Sequence, residues 1–180
     1  MIRSARLEDL SYIVSLANKE NFCLGFIPKM AYEAAITGIK TGKRWSNTCN
    51  DKLFVCVEND DLVGFVMFSY GNPAKCNQIC IQQDARLISR GQALLSSAIA
   101  HGNLNGIEDF ACGCADDLSS NFFWQQMGWV KVGNRKGISY KNTWKETSKR
   151  KINIYRYQTN SLFTNDFGMI LPKENTVISI

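Results

Sequence analysis

Histidine and proline are scarce in this chain of 180 residues: His101 stands alone, and only Pro28, Pro73 and Pro172 interrupt the sequence. A single histidine, far from any cysteine cluster, is poor material for a Ser-His-Asp or Cys-His site. No window holds the ~18 uncharged apolar residues of a membrane span, and no internal repeat or low-complexity stretch occurs. The opening Met-Ile-Arg-Ser-Ala-Arg, followed by Glu8 and Asp9, lacks an apolar h-region, so no signal peptide is expected and a cytoplasmic protein is. Cysteine is not scarce, but seven at irregular spacing read as reduced thiols. Cys112-Gly113-Cys114 sets two thiols on one strand face. Cys76 and Cys80 lack the spacing to complete a zinc site with them, so buried thiols are expected there and no metal.

Apolar residues make up 45 % of the chain and charged residues 21 %, ordinary globular usage that excludes disorder and fibrous repeats. The length suits one domain. The net charge of +5 is unevenly placed: between Lys131 and Arg156 nine basic residues stand against Glu146 alone, a balance of +8 that leaves the rest at −3. Such a segment can meet the phosphates of a cofactor or a nucleic acid, or be a solvated connection. Lys, Trp and Tyr residues interleaved from Lys141 to Tyr157 could grip single strands by charge and stacking. A β-hairpin with a solvated basic loop is the favoured alternative.

Residues 2–6 suit a short strand, and Leu7, Leu10, Ile13, Val14 and Ala17 recur at helical spacing to about Lys19. A second helix is expected from Lys29 to about Lys40, ending near Gly42. Leu53–Val57 and Leu62–Tyr70 flank Asn59-Asp60-Asp61 as a hairpin, and Gln78–Gln82 follows as a third strand. Then come a helix over Gly91–His101 stopping near Gly102, a strand over Ile107–Cys114, a short helix over Ser119–Gln126 ended by Gly128, and strands at Trp129–Val132 and Ile152–Tyr157. Hairpins mixed with a β-α-β crossover define a mixed α/β sheet. Residues 1–158 form the expected domain. The tail 159–180, carrying Leu162, Phe163, Phe167, Ile170 and Leu171, is expected to pack on it.

The most informative stretch is Ile79 to Leu95, where a strand runs through a short turn into a helix. First-turn amides of a helix lack internal partners and sit at its positive dipole end, so they make an anion site. Gly91 allows close approach, Ser89 can cap, and Arg86 and Arg90 add charge where a pyrophosphate would sit. The same residues also fit an ordinary capped helix with two surface arginines.

Here the sequence resembles the GNAT acetyltransferase superfamily, whose acyl-coenzyme A signature is a strand followed by [Q/R]-x-x-G-x-[G/A]. Arg86-Leu87-Ile88-Ser89-Arg90-Gly91 matches it with Ser89 in place of the first glycine. The resemblance extends over about residues 2–157. It takes in Ile2-Arg3, Asp9-Leu10, Leu62-Val63-Gly64-Phe65, and Asn121 followed by Phe122-Phe123-Trp124 and Gly128-Trp129. Leu24-Gly25-Phe26-Ile27-Pro28, Asp84-Ala85-Arg86 and Asn121-x-x-Trp124 look most like the small members common in phages and mobile elements.

The resemblance implies a mostly antiparallel sheet flanked by helices, with acetyl-CoA between splayed strands near Ile79–Gln82 and Ile107–Cys114. Ile79, Cys80 and Ile81 would flank the pantetheine, with the backbone of Ile79 and Ile81 pairing to it as an added strand pairs to a sheet edge. Arg86, Leu87, Ser89, Arg90, Gly91 and Gln92 would hold the pyrophosphate. Asn121 and Trp124 would line the cofactor, although Trp124 also fits a core aromatic. The implied reaction is direct acetyl transfer to an amine of a small molecule or protein, by a monomer or homodimer. An alkyl ammonium has a pKa near ~10.4 and must lose a proton first, and a backbone N–H of the Ile81 strand would stabilise the oxyanion. The family often protonates the leaving thiolate with a tyrosine where this chain has Trp124, and no glutamate lies in Gln78–Gln83. Base and acid are therefore unassigned, with Tyr70 and Tyr140 as the only tyrosines singled out. A nucleic-acid-associated protein and a catalytically silent coenzyme A-binding relative are the rival readings.

Overall fold

Apolar residues recurring every three to four positions become helices, and alternating ones become strands, in the computed structural model, which describes residues 1–39, 50–137 and 150–159. The elements run β1 (Ile2–Ser4), α1 (Leu10–Lys19), α2 (Asn21–Leu24), α3 (Lys29–Thr37), β2 (Asp51–Glu58), β3 (Asp61–Ser69) and β4 (Ala74–Ile81). There follow α4 (Ile88–Leu104), β5 (Asp109–Ala115), α5 (Ser120–Gln126), β6 (Val130–Lys136) and β7 (Lys151–Gln158), with single 3-10 turns at Leu7–Asp9 and Gln83–Ala85. One 7-stranded sheet has the order β1-β2-β3-β4-β5-β7-β6. Every junction is antiparallel except β4–β5, which the α4 crossover makes parallel. The expected mixed, mostly antiparallel α/β sheet is the one found.

Each face of the sheet buries its own apolar layer. Ile13, Leu16 and Tyr32 from α1 and α3 cover Val55, Phe65 and Met67. Leu94, Ala98 and Trp124 from α4 and α5 cover Val66, Phe68, Phe110 and Tyr155. Because side chains alternate along a strand, β3 divides Phe65 and Met67 from Val66 and Phe68, and reads as an unbroken apolar run. The β2–β3 turn uses Asn59 and Asp60 at φ 49° and 67°, the positive pair that a two-residue hairpin matching strand twist needs. At the start of the chain, the buried Asp9 carboxylate accepts from the Arg6 amide at 2.7 Å and from the Arg3 guanidinium at 2.7 and 2.9 Å, tying β1 to α1.

Several boundaries differ from the sequence expectation, and glycine explains two of them. Gly91 and Gly102 read as helix boundaries, yet both are buried inside α4. A Cβ on Gly91 would come to 3.0 Å of Phe123, and one on Gly102 to 2.7 Å of Phe110. Their smallness lets α4 pack closely, so the helix starts at Ile88 and runs to Leu104. Helix α3 instead ends on Gly38, at φ 71°, before the expected Gly42. Helix α2 is too short to show a periodicity and was not anticipated. After β7, the Thr159 amide bonds to the Glu108 carbonyl at 3.0 Å. The rest of the tail, with the packing expected of it, lies outside the described residues. No helix among them is long and apolar enough to cross a membrane.

Candidate functional site

The parallel junction of β4 and β5 is the weak seam of the sheet. The two strands pair only at Ala74–Phe110, Lys75–Ala111 and Cys76–Cys112, and beyond those rungs they part. Both strands keep their outer partners: β4 stays on β3 as far as Ile81, and β5 stays on β7 along its whole length. The result is a V-shaped opening toward Ile81 and Ala115, where a splay was expected.

The strand register decides which backbone groups face the opening. Gln82 donates its amide to Val63 at 2.8 Å, so in the antiparallel alternation Cys80 and Gln78 also direct their backbone groups to β3. Ile79 and Ile81 direct theirs into the V, where their amides find no strand partner among the described residues. A bulge at Asn77, between the Met67–Gln78 and Phe68–Cys76 pairs, resets this alternation where the strands part. Gly64 opposite Ile81 admits no side chain, since a Cβ there would lie 2.5 Å from the Cys80 carbonyl oxygen and from Ile81 Cδ1. The Leu62-Val63-Gly64-Phe65 segment thus sets how closely β3 carries the free edge of β4.

At the wide end of the V, the 3-10 turn Gln83–Ala85 leads into α4. Leu87 rather than Ser89 is its N-cap, without a side-chain cap. The exposed Leu87 and Ser89, with Ile88, belong to the turn whose amides a helix leaves unpaired. Gln92 is exposed one turn on, whereas Gly91 is buried and a Cβ there would meet Phe123. Arg86 lies across the end of β4: its Nε donates to the Ile81 carbonyl at 3.2 Å and its Nη2 pairs with Glu20 at 2.9 Å. Arg90 points elsewhere. It donates to the Ala85 carbonyl and pairs with Glu58 at the β2–β3 hairpin, lining a cleft of about 540 Å³ with Met1, Ile2 and Ser89. The two arginines grouped by sequence therefore serve different sides of α4.

Asn121 and Trp124 form the β5 wall from within. The Asn121 amide donates to the carbonyls of Ala115 and Leu118, both at 2.7 Å. Its Oδ1 accepts from Asn153 Nδ2 and Tyr155 Oη, both at 2.9 Å. The side chain is consumed in joining β5, α5 and β7, so it positions this wall rather than presenting a free amide. Trp124 is 5 % exposed and packs edge-on against Trp129 at 4.9 Å, so the core-aromatic alternative describes it. Burial pushes the neighbouring Cys114 thiol up.

The α1–α3 face of β4 carries polar groups that sequence reasoning missed. Tyr32 donates to Gln78 Oε1 at 2.6 Å, and Gln78 Nε2 donates to the Gly25 carbonyl at 2.9 Å. Tyr12 donates to Gln82 Oε1 at 2.9 Å. Burial pushes both phenols up to about 12, and the Cys80 thiol likewise. Arg150 bridges the two sides of the V: it holds Asp117 through Nε and Nη2, donates to the Phe22 carbonyl at 2.6 Å and lies 4.3 Å from the Phe22 ring centre. These contacts join residues far apart in sequence and leave no local motif. The one available hint was that Gln78 and Gln82 sit at strand positions otherwise apolar.

Other candidates fall away from the opening. Tyr70 donates to the Ala98 carbonyl at 2.7 Å, is buried under α4, and has its phenol pushed up by that burial. His101 packs edge-on against the same ring at 4.9 Å, with burial holding its pKa low. Tyr140 lies outside the described residues, as do Lys141, Lys145 and Lys149. Of the basic segment, Lys131 and Lys151 face Asp116, Arg150 pairs with Asp117 and Arg156 with Asp109.

This arrangement is the fold of the GNAT acetyltransferases. The acetyltransferase of that family from Streptococcus pneumoniae matches with a TM-score of 0.66 and 14% identity, over 88% of this chain and 98% of that one. A ribosomal-protein-alanine N-acetyltransferase from Brucella melitensis gives 0.68 at 14% identity, over 88% and 99%. The protein yncA of Salmonella typhimurium, solved with its cofactor acetyl-CoA, gives 0.68 at 14% identity, over 92% and 97%. No family model matches the sequence, and neither does any curated protein.

Proposed function

We propose that this chain is an acetyl-CoA-dependent N-acetyltransferase acting on a primary amine by direct transfer. The observation that carries the reading is the V between β4 and β5, whose free edge at Ile79 and Ile81 leads straight into the amide-rich start of α4. The groups present fit the cofactor. An extended amide-bearing arm can pair with the outward groups of Ile79 and Ile81 as an added strand. A pyrophosphate at its end meets the first-turn amides of α4 and the Arg86 guanidinium. Bound there, acetyl-CoA supplies an acetyl thioester to an amine approaching from the α1–α3 face.

The chain's own residues then have limited tasks. The Ile79 and Ile81 edge orients the arm, the walls fixed by Asn121 and Trp124 exclude water, and Gln78 and Gln82 line the acceptor side without adding charge. Neither Tyr12 nor Tyr32 is a ready proton donor to a thiolate, because each phenol sits near 12. A thiol near ~8.5 leaves tolerably without one, so transfer is slowed rather than forbidden, by about 10²–10⁴-fold relative to an assisted reaction. Calorimetric titration with acetyl-CoA, then coenzyme A release over a panel of alkyl amines, tests the proposal. Binding with amine-dependent release supports it. Binding without release on any amine supports a silent relative, and no binding refutes both. Lys131, Arg150, Lys151 and Arg156 each face a carboxylate, and nucleic-acid binding that persists at high salt would favour that rival.

A further inference from the structure

Arg86 is doubly engaged. Its Nη2 lies 2.9 Å from Glu20 Oε2, and its Nε donates at 3.2 Å to the Ile81 carbonyl. That carbonyl is one of the groups the β4 register turns into the V, and Arg86 fills the position an added strand would use. Glu20, at the junction of α1 and α2, has a side chain only 14% exposed, whereas that of Arg86 is 51% exposed. The carboxylate is thus the fixed partner and the guanidinium the one free to swing.

Resting on the acetyl-CoA reading above, we infer that Glu20 is a positioning residue that competes with the cofactor's pyrophosphate for Arg86. In the free protein Glu20 holds Arg86 over the end of β4. A bound cofactor draws the guanidinium onto its phosphates, which unblocks the Ile81 carbonyl for the arm and leaves the Glu20 carboxylate without its cation on the acceptor side. A half-exposed ion pair is weak and exchangeable, while a pyrophosphate offers more charge and a bidentate match to the fork of an arginine. The contact therefore tunes cofactor affinity downward. Arg90 provides the contrast, since Glu58 holds it on the far side of α4.

The test is a cycle of acetyl-CoA dissociation constants for the wild type, Glu20→Gln, Arg86→Ala and the double variant, with unfolding curves to confirm that each is folded. Glu20→Gln is expected to tighten binding about two- to fivefold, the range of a partly exposed ion pair. In the Arg86→Ala background the same change should have almost no effect, which separates release of Arg86 from a general loss of negative charge. Glu20→Asp should tighten in the same direction by less. A gain in affinity is a result that structural damage does not produce. Weaker or unchanged binding in Glu20→Gln, or equal tightening with and without Arg86, overturns the inference while leaving the transferase reading intact. Failure of the wild type to bind acetyl-CoA would instead remove that reading.

Discussion

Asp9 shows how much one side chain organises here. It receives three charge-assisted bonds, two from Arg3 and one from the Arg6 amide, and these hold its carboxyl below the usual carboxylate range. A carboxyl depressed on folding stabilises fully above its unfolded pKa of ~3.9, and that stability is lost as the pH falls through the folded value. Asp9→Asn should therefore lose about 1.5–3 kcal/mol at pH 7. In urea unfolding the gap to the wild type should close as the pH drops below ~4. A gap constant with pH would mean that shape rather than charge matters at this site. Asn121 works on the other side of the V. Asn121→Ala takes a side-chain donor from the Ala115 and Leu118 carbonyls, which keep backbone donors, and an acceptor from Asn153, which keeps Asp116, and it removes the Oδ1 acceptor of the Tyr155 hydroxyl. A loss of about 2–4 kcal/mol in the same measurement is expected.

Among the elements, the β3–β4 pair carries the edge on which the functional reading depends. Gly64→Ala would push a Cβ against the Cys80 carbonyl and Ile81 at 2.5 Å, and backbone cannot give as a flexible side chain can. It should cost about 1–3 kcal/mol, the usual range for overpacking, and should weaken acetyl-CoA binding through displacement of the β4 edge. Undiminished affinity in a folded Gly64→Ala protein would detach the cofactor from this edge. Much at this scale was legible in the sequence. The apolar alternation of β2 and β3, the helix spacing of α1 and the Asn-Asp turn are local, so they survive reading without coordinates. Arg86 and the start of α4 were found because strand, turn and helix are consecutive. The pairs Tyr12–Gln82, Tyr32–Gln78, Glu20–Arg86 and Arg150–Asp117 were not legible, because each joins segments that only the folded chain brings together. The contact of Gly91 with Phe123 was not legible either, since a glycine admitting a ligand and a glycine admitting Phe123 look identical in sequence.

For the whole molecule, two halves of one sheet meet at three parallel rungs and separate beyond them. Tyr12 and Tyr32 are pushed up to about 12 and burial beneath α4 pushes Tyr70 up as well, so none of these three titrates in the working range. The rate of acetyl transfer should rise with pH as the acceptor amine loses its proton, without an alkaline fall below about pH 11. A bell-shaped profile whose alkaline limb disappears in Tyr12→Phe or Tyr140→Phe would show that a tyrosine supplies the proton after all.

The central claim, that the outward edge of β4 takes an extended cofactor as an extra strand, is tested most directly by amide hydrogen exchange on adding acetyl-CoA. The account predicts that the amides of Ile79 and Ile81, which have no strand partner among the described residues, become strongly protected. The Cys80 amide, already turned to β3, should change little. Protection confined to the cleft beside Arg90 and Met1, or an equal change at Ile79, Cys80 and Ile81, would contradict it.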